Sequence, residues 1–407
     1  MIKIVNKQDC CGCSACVQRC PKHCITLKED GEGFLYPHVN SDECIDCGLC
    51  EKVCPELHHG ERHIPLEVYA AKNKDESIRM QSSSGGIFTL LAEKVIQEGG
   101  VVFGAAFDAN WEVMHTYAET MEGLVDFRGS KYMQSRIGTA YQDAEYFLKQ
   151  GRKVLFSGSP CQIKGLKLFL RKNYDNLIAV DFICHGVPSP KVWREYLKET
   201  IARKSGKNSV LPYPIPCKIG IDTVDFRSKS TGWKKYSFAL TLSETSVEGV
   251  KNTVLLSSVF SENPFMRAFL ADLILRPSCY SCPSKSGRSG SDLTIADYWA
   301  IPQVAPEFDD DKGVSLVLVQ TEKGKSFYQS LKEKTTFIVT SYQEAQGANG
   351  GFKEKTPMHP KRSRFFTEFA QSDDIIGLID RTLRIPLYRK LLKKVKNGIK
   401  KMLKSDK

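Results

Sequence analysis

Cys10-Cys11-Gly12-Cys13-Ser14-Ala15-Cys16-Val17-Gln18-Arg19-Cys20-Pro21 and Cys44-Ile45-Asp46-Cys47-Gly48-Leu49-Cys50-Glu51-Lys52-Val53-Cys54-Pro55 are two copies of one pattern, C-x2-C-x2-C-x3-C-P. Three cysteines at i, i+3 and i+6 can hold three corners of one iron–sulfur cube. The fourth, after a longer gap and before a proline, turns away and reaches a neighbouring cube. The spacing predicts a crossed pairing: Cys10, Cys13, Cys16 and Cys54 on one 4Fe-4S cluster, and Cys20, Cys44, Cys47 and Cys50 on the other. Zinc is the competing use of such thiols. It usually takes two C-x2-C knuckles separated by about a dozen residues or more, not four cysteines packed into one short run.

The rest of the composition is that of an ordinary globular chain. Its 407 residues are 41% hydrophobic and 26% charged, enough for more than one domain and a sizeable core. No apolar run approaches the length of a membrane span. Met1–Lys7 lacks the apolar core of a signal peptide, so export is not expected and a cytoplasmic location is. In such a chain, fifteen cysteines point to metal binding, not disulfides. The formal charge of +11 is concentrated: between Arg381 and Lys407, eleven Lys/Arg face one acid, Asp406, and supply +10 of it. The body is nearly neutral, so nucleic acid is not an expected partner.

Residues 1–60 read as a small two-cluster module resembling bacterial ferredoxins, with one motif per half. A linker around His58, His59, Gly60 and Pro65 follows. Beyond it strands and helices alternate. Strands are expected at Leu66–Ala71, Val101–Phe107, Lys153–Ser157 and Leu177–Ile183, and helices at Gly85–Gln97, Ala140–Lys149, Gln162–Arg171 and Lys191–Arg203. This alternation implies an α/β domain with a partly parallel sheet. Residues 205–260 look strand-rich and irregular. Phe265–Leu275 reads as helix, Leu293–Ala296 as extended, and Ser315–Gln320 as a buried strand.

Five further cysteines lie between residues 150 and 300. Cys161 follows the strand Lys153–Ser157, and Cys184 follows the strand Leu177–Ile183. Two neighbouring parallel strands would bring both to the same carboxyl edge, where open α/β sheets place their sites. With Cys279 and Cys282 they make four thiols. From spacing alone a third cluster, a zinc site or merely buried thiols all fit. Ser82–Gly86 ahead of a helix, and Ser157-Gly158-Ser159 after a strand, could aim backbone N–H groups at a pyrophosphate. Neither is the G-x-G-x-x-G fingerprint, and from the residues alone a helix N-cap by Ser83 or Ser84 is the favoured explanation of the first.

Five segments in order resemble the coenzyme F420 hydrogenase/dehydrogenase beta-subunit family: Ser82-Ser83-Ser84-Gly85-Gly86, Arg128-Gly129-Ser130-Lys131-Tyr132, Ser159-Pro160-Cys161-Gln162, Cys184-His185-Gly186, and Cys279-x2-Cys282 followed by Ser291-Asp292-Leu293-Thr294-Ile295-Ala296-Asp297-Tyr298-Trp299. The likeness covers about residues 66–300. It departs at Ala300, where related chains often carry glycine. The resemblance implies FAD and a third 4Fe-4S cluster held by Cys161, Cys184, Cys279 and Cys282. It leaves Cys11, Cys24 and Cys217 without a role. Ser83, Ser84, Gly85, Gly86, Lys131, Ser157, Gly158 and Ser159 are the expected FAD contacts. Lys131 could neutralise a flavin anion or a phosphate, or be an ordinary solvated lysine. His185 could hand on protons, or be a histidine buried in a turn.

The expected fold class is therefore α/β (α+β overall): a ferredoxin-like domain at 1–60 fused to an α/β flavin-binding domain with a mixed sheet. Its first part spans 66–150 and its second 151–345. Residues 375–407 form a basic tail. Tyr388, Leu391, Leu392, Val395, Ile399 and Met402 recur at helical spacing there, so a helix lying on the inner face of the membrane, or packing on the body, is expected. The implied function is an iron–sulfur flavoprotein oxidoreductase. It would pass electrons between the clusters and FAD, with ferredoxin or another redox protein as one partner. A small two-electron donor or acceptor, coenzyme F420 or a bacterial substitute, would be the other. The alternative is an electron-transfer subunit without substrate chemistry of its own, tied through its bacterial relatives to surface-polysaccharide biosynthesis.

Overall fold

The computed structural model describes residues 1–204, 219–245, 251–346 and 356–384. At the N-terminus, α1 (Ala15–Arg19) and α2 (Leu49–Lys52) flank the antiparallel pair β1 (Ile25–Glu29) and β2 (Leu35–Val39). The two cysteine motifs fold alike. Gly12 and Asp46 both have positive φ (72° and 50°), as do Ser14 and Gly48 (61° and 69°), which start the two short helices. The sequence repeat is a structural repeat.

Beyond it, β3 (Glu67–Asn73), β4 (Val101–Phe107), β5 (Val113–Ala118), β6 (Val154–Gly158) and β7 (Leu177–Phe182) join one eight-stranded sheet. A separate antiparallel sheet holds β8 (Ile219–Ser228), β9 (Ser237–Thr245) and β10 (Lys251–Val259). The large sheet is completed by β11 (Leu293–Asp297), β12 (Ser315–Val319) and β13 (Thr335–Val339), in the order β13-β3-β12-β11-β7-β6-β4-β5. Its centre, β11-β7-β6-β4, is parallel; the outer strands run antiparallel. Strands from 66–150 and from 151–345 thus share one sheet, which is mixed as the alternating pattern implies.

Both faces are covered, which is why these strands read as continuous apolar runs. On one face Val101, Phe103, Val154, Phe156, Leu177 and Ala179 pack under α5 (Ala140–Lys149) and α6 (Pro160–Leu170). On the other, Val102, Leu155, Ile178 and Val180 pack with α4 (Ile87–Gln97), which follows the short α3 (Glu76–Gln81). Successive residues feed opposite cores, as the two-residue strand period requires.

The N-terminal module sits on the α5–α6 face. Cys11, Cys13, Ala15 and Val53 belong to that core. Gln18 Oε1 accepts from Tyr141 N (3.1 Å) and Gln142 N (3.2 Å), satisfying free donors in the first turn of α5. Arg19 pairs with Glu145 at 3.4 Å, and Arg362 with Glu32.

Two expectations change. The helix expected over Phe265–Leu275 stops at Leu270, because Asp272 turns into the left-handed region (φ 59°) and Leu275 bridges to Pro188. The tail expected over 375–407 divides. Ile375–Leu383 is a helix whose Ile375, Leu378 and Ile379 are buried in the body, while residues 385–407, with the stripe from Tyr388 to Met402, lie outside the described residues. So does Cys217. No helix among the described residues is long and apolar enough to cross a membrane.

Candidate functional site

Three groups of thiols emerge. Cys20, Cys44, Cys47 and Cys50 line one recess at the surface, with Cys24 beside them. Ile2 N donates to Cys50 Sγ at 3.3 Å, and Cys24 Sγ lies 3.4 Å from Cys20 Sγ. This recess is outermost: Cys47 is exposed and Ile45 is 58% exposed.

A second group lies deeper. Burial pushes the Cys16 thiol up to about 12, with Cys10, Cys54 and Cys50 the adjacent thiols. Burial likewise raises Cys54 to about 11, with Cys10 beside it. Cys13 has Cys16 and Cys54 as neighbours. Cys10, Cys13, Cys16 and Cys54 thus share one set of surroundings and Cys20, Cys44, Cys47 and Cys50 another, and Cys50 marks where the two approach each other.

The third group forms at the carboxyl edge of the large sheet. Cys161 occupies the first turn of α6, which follows β6, and Cys184 follows β7; the two strands pair in parallel. Cys279 and Cys282 come up beneath them. Burial raises Cys184, whose neighbouring thiols are Cys279, Cys161 and Cys282. It raises Cys279 to about 11. Val187 N donates to Cys279 Sγ at 3.3 Å. Lys285, itself buried, puts a cation near three of these thiols while donating to Thr356 Oγ1 at 2.7 Å. Among the described residues no three His, Cys, Asp or Glu side chains are arranged to hold a single metal ion; a cube spreads its thiolates wider than one ion does.

Cys11 joins two of these groups. Its side chain is close to both Cys13 and Cys161. The inner thiols pack on α6 itself: a Cβ on Gly165 would sit 3.1 Å from Cys13 Sγ. Nothing in the spacing signals this, because Cys11 falls inside the motif as a filler residue.

Beside the third group opens a cavity of about 650 Å³, within the usual range for ligand clefts. It lies at the carboxyl ends of β6, β7 and β11, through Ser157–Ser159, Asp181–Ile183 and Ile295–Asp297. Of the eight expected FAD contacts all but Gly85 line it. Gly85 instead lies flush against β3 and β12, where a Cβ would stand 2.7 Å from Ser315 N. Ser83 and Ser84 are not N-caps; Gly86 (φ 82°) starts the helix. Ser83 Oγ accepts from Ser130 N at 2.7 Å, tying the first two resemblance segments together, and Ser84 Oγ donates to Val314 O at 2.8 Å. Lys229 Nζ donates to Ser84 O and Arg79 O, both at 2.7 Å, and holds that turn from behind.

The floor of the cavity is a hydrogen-bonded chain. Gln162 Oε1 accepts from Ser159 N (2.9 Å), and Gln162 Nε2 donates to Ser135 Oγ (2.8 Å). Ser135 Oγ meets His115 Nδ1 (2.9 Å), and His115 Nε2 meets Ser157 O (3.0 Å). Those partners assign the proton to Nε2. Burial pushes His115 down to about 4, so the imidazole is neutral at pH 7. Lys131 is half-buried by surface area, but its ammonium end is deep enough that desolvation lowers it to about 8; Nζ donates to Arg128 O at 3.0 Å. His185 lines the cavity with Nε2 2.7 Å from Asp272 Oδ1.

One buried cation on the wall has no motif to announce it. Arg227 forks onto Asp297, Nη1 to Oδ2 at 2.9 Å and Nη2 to Oδ1 at 3.1 Å, and stacks over Tyr236 and Trp299. Its Nε is buried without a partner, a donor left over on a cavity wall. The donors, glycine turns and apolar walls suit an anionic, aromatic ligand of dinucleotide type.

Comparison with known proteins identifies the parts of the chain. Residues 9–57 match a 4Fe-4S dicluster domain. Residues 68–141 match the N-terminal model, and residues 151–345 the C-terminal model, of the coenzyme F420 hydrogenase/dehydrogenase beta subunit. A search of curated proteins found no match. Among solved structures, a chain of the F420-reducing NiFe hydrogenase complex from Methanosarcina barkeri is 16% identical with a TM-score of 0.42; the match covers 79% of this chain and 91% of that one. The three matched segments, in this order, make the chain a member of the coenzyme F420 hydrogenase/dehydrogenase beta-subunit family that carries an N-terminal 4Fe-4S dicluster domain.

Proposed function

We propose that the chain relays single electrons through three 4Fe-4S clusters to FAD, and so to a two-electron substrate. Cys20, Cys44, Cys47 and Cys50 would hold the outer cluster, Cys10, Cys13, Cys16 and Cys54 the inner one, and Cys161, Cys184, Cys279 and Cys282 the third. The observation that carries this reading is serial order. The outer recess faces the surface, Cys11 lies beside thiols of both the inner and the third group, and the third group adjoins the cavity through Ser159 and His185.

FAD, when bound, exchanges electrons singly or in pairs, which is what links cluster chemistry to a hydride-transferring substrate. The chain's own residues do the rest. Ser83, whose oxygen accepts from Ser130 and whose own proton is left to donate, supplies a hydroxyl, and Arg227 a cation with a free Nε. Neutral His115 holds the Ser157–Ser159 turn without adding charge. Lys131, lowered to about 8, can give up a proton near neutral pH. Coenzyme F420 or a bacterial substitute is the proposed substrate. Ferredoxin or another redox protein would dock at the exposed edge around Ile45 and Cys47, and a cytoplasmic setting suits such a partner.

Anaerobic analysis of the reconstituted protein tests the reading. About twelve irons and one releasable FAD per chain are expected, since each cube holds four irons. About eight irons with no flavin would refute the third cluster and the flavin together, leaving the dicluster module alone.

A further inference from the structure

The module and the body meet around one buried cation. Arg276, three residues before Cys279, is 0% exposed, and its guanidinium points into the module. Nε donates to Cys10 O at 2.7 Å, Nη2 to Leu35 O at 2.9 Å and to Cys10 Sγ at 3.5 Å, and Nη1 to Gln134 Oε1 at 2.8 Å. The plane lies over Tyr36 (4.3 Å) and Phe34 (5.4 Å). Gly12 makes the approach possible, since a Cβ there would stand 2.8 Å from Arg276 Nη1. The equivalent position in the outer motif, Asp46, is exposed and pairs with the Met1 ammonium at 2.8 Å, not with an arginine.

Every hydrogen bond of this cation goes to a neutral acceptor or to sulfur. Among the described residues no carboxylate forms an ion pair with it; Glu56, an acid within range of its charge, does not reach it. The groups whose negative charge would act on it most strongly are Cys10, Tyr36, Cys11 and Cys279. A buried guanidinium without a counter-charge is among the costliest features a fold can contain. A thiolate-ligated cube carries net negative charge, and hydrogen bonds to its sulfurs together with nearby charge set its reduction potential.

We propose that the counter-ion of Arg276 is the cluster held by Cys10, Cys13, Cys16 and Cys54, and that this contact raises that cluster's reduction potential and docks it against the third. The inference rests on the ligand sets of the preceding section. An electron accepted by a cluster held there would add one negative charge, and no proton would be needed. The fixed guanidinium already offsets that charge. Arg276 acts as a positioning and tuning residue.

The test is an EPR-monitored redox titration of the reconstituted full-length chain as wild type, Arg276→Gln and Arg276→Lys, with Cys47→Ser identifying the outer signal by its loss. In R276Q one midpoint, belonging to a cluster other than the outer one, falls. R276K, which keeps the charge without the fork, shifts it less, and the outer midpoint stays. Unchanged midpoints in an R276Q protein with wild-type iron content would overturn the proposal. Should R276Q fail to load, pulsed EPR on wild type grown with 15N-arginine decides: a 15N coupling to a reduced cluster supports the contact and its absence refutes it. A wild-type chain lacking the eight N-terminal irons would instead overturn the ligand sets themselves, an outcome read from iron content and not from potentials.

Discussion

Replacing Asp297 by Asn tests the cavity wall without altering its shape. Asp297 accepts both Arg227 Nη atoms and Trp233 Nε1 (2.9 Å). The Arg227 side chain is only 3% exposed, so the substitution strands a cation in a poorly solvated site. Removing one partner of a buried pair costs about 3–5 kcal/mol. The Tyr236 and Trp299 faces, 4.0 and 5.1 Å away, remain and return part of it, since such contacts are worth about 1–2 kcal/mol. An amide oxygen can also keep the Trp233 bond. The expected loss is therefore about 3 kcal/mol, which for a chain of this length corresponds to a fall in thermal midpoint of about 4 °C. The assay is thermal and urea unfolding of flavin-free protein by circular dichroism, so that loss of a cofactor is not mistaken for unfolding. The Arg227→Met/Asp297→Asn double variant should recover at least about half the loss, because no stranded charge remains. If the double variant is as unstable as the sum of the singles, the two side chains are not coupled and the reasoning fails.

Three further outcomes follow from the geometry. Gly12→Ala should cost about 2–4 kcal/mol, from left-handed strain at φ 72° plus contact with Gln134 and Arg276, whereas Gly48→Ala, with open space around it at φ 69°, should cost about 1 kcal/mol; urea midpoints compare them. Cys184→Ser should bring iron down by about four atoms per chain while leaving the dicluster signals in place, as metal analysis with EPR would show. His115 is held near 4 against an ordinary 6.5, so the unfolded chain binds the extra proton first between those values. Its contribution is complete above about pH 6.5 and is lost as pH falls towards 4, a total of about 3 kcal/mol. His115→Gln should flatten that part of the stability–pH curve measured by denaturant titration.

Much of the site was legible because its chemistry is written in local spacing. The eight N-terminal cysteines announce two cubes through i, i+3, i+6 geometry, and a match to a dicluster domain over residues 9–57 accords with that. The apolar runs at β4, β6 and β7 announced strands buried on both faces, and those strands carry Cys161 and Cys184 to one edge. Arg227, His115 and Arg276 gave no such notice. Each is a single residue of a common type, and each acquires its role from a partner far along the chain: Asp297, Ser157, Cys10. The N-cap expectation for Ser83 and Ser84 failed for a related reason. Their hydroxyls are claimed by Ser130 and Val314, partners that no local pattern reveals.

The amino-acid sequence by itself determined the cluster-binding motifs, the alternation of strands and helices, and the family, since these depend on residue types within a few positions of one another. Tertiary structure decided which thiol groups are neighbours and in what order they stand. It put Cys11 between Cys13 and Cys161, and buried Arg276 against Cys10. The physical reason is range. A ligand motif or a hydrophobic period is set by bonded geometry. The surroundings of a buried charge or thiol are set by which distant segments pack around it, and that is known only once the chain has folded.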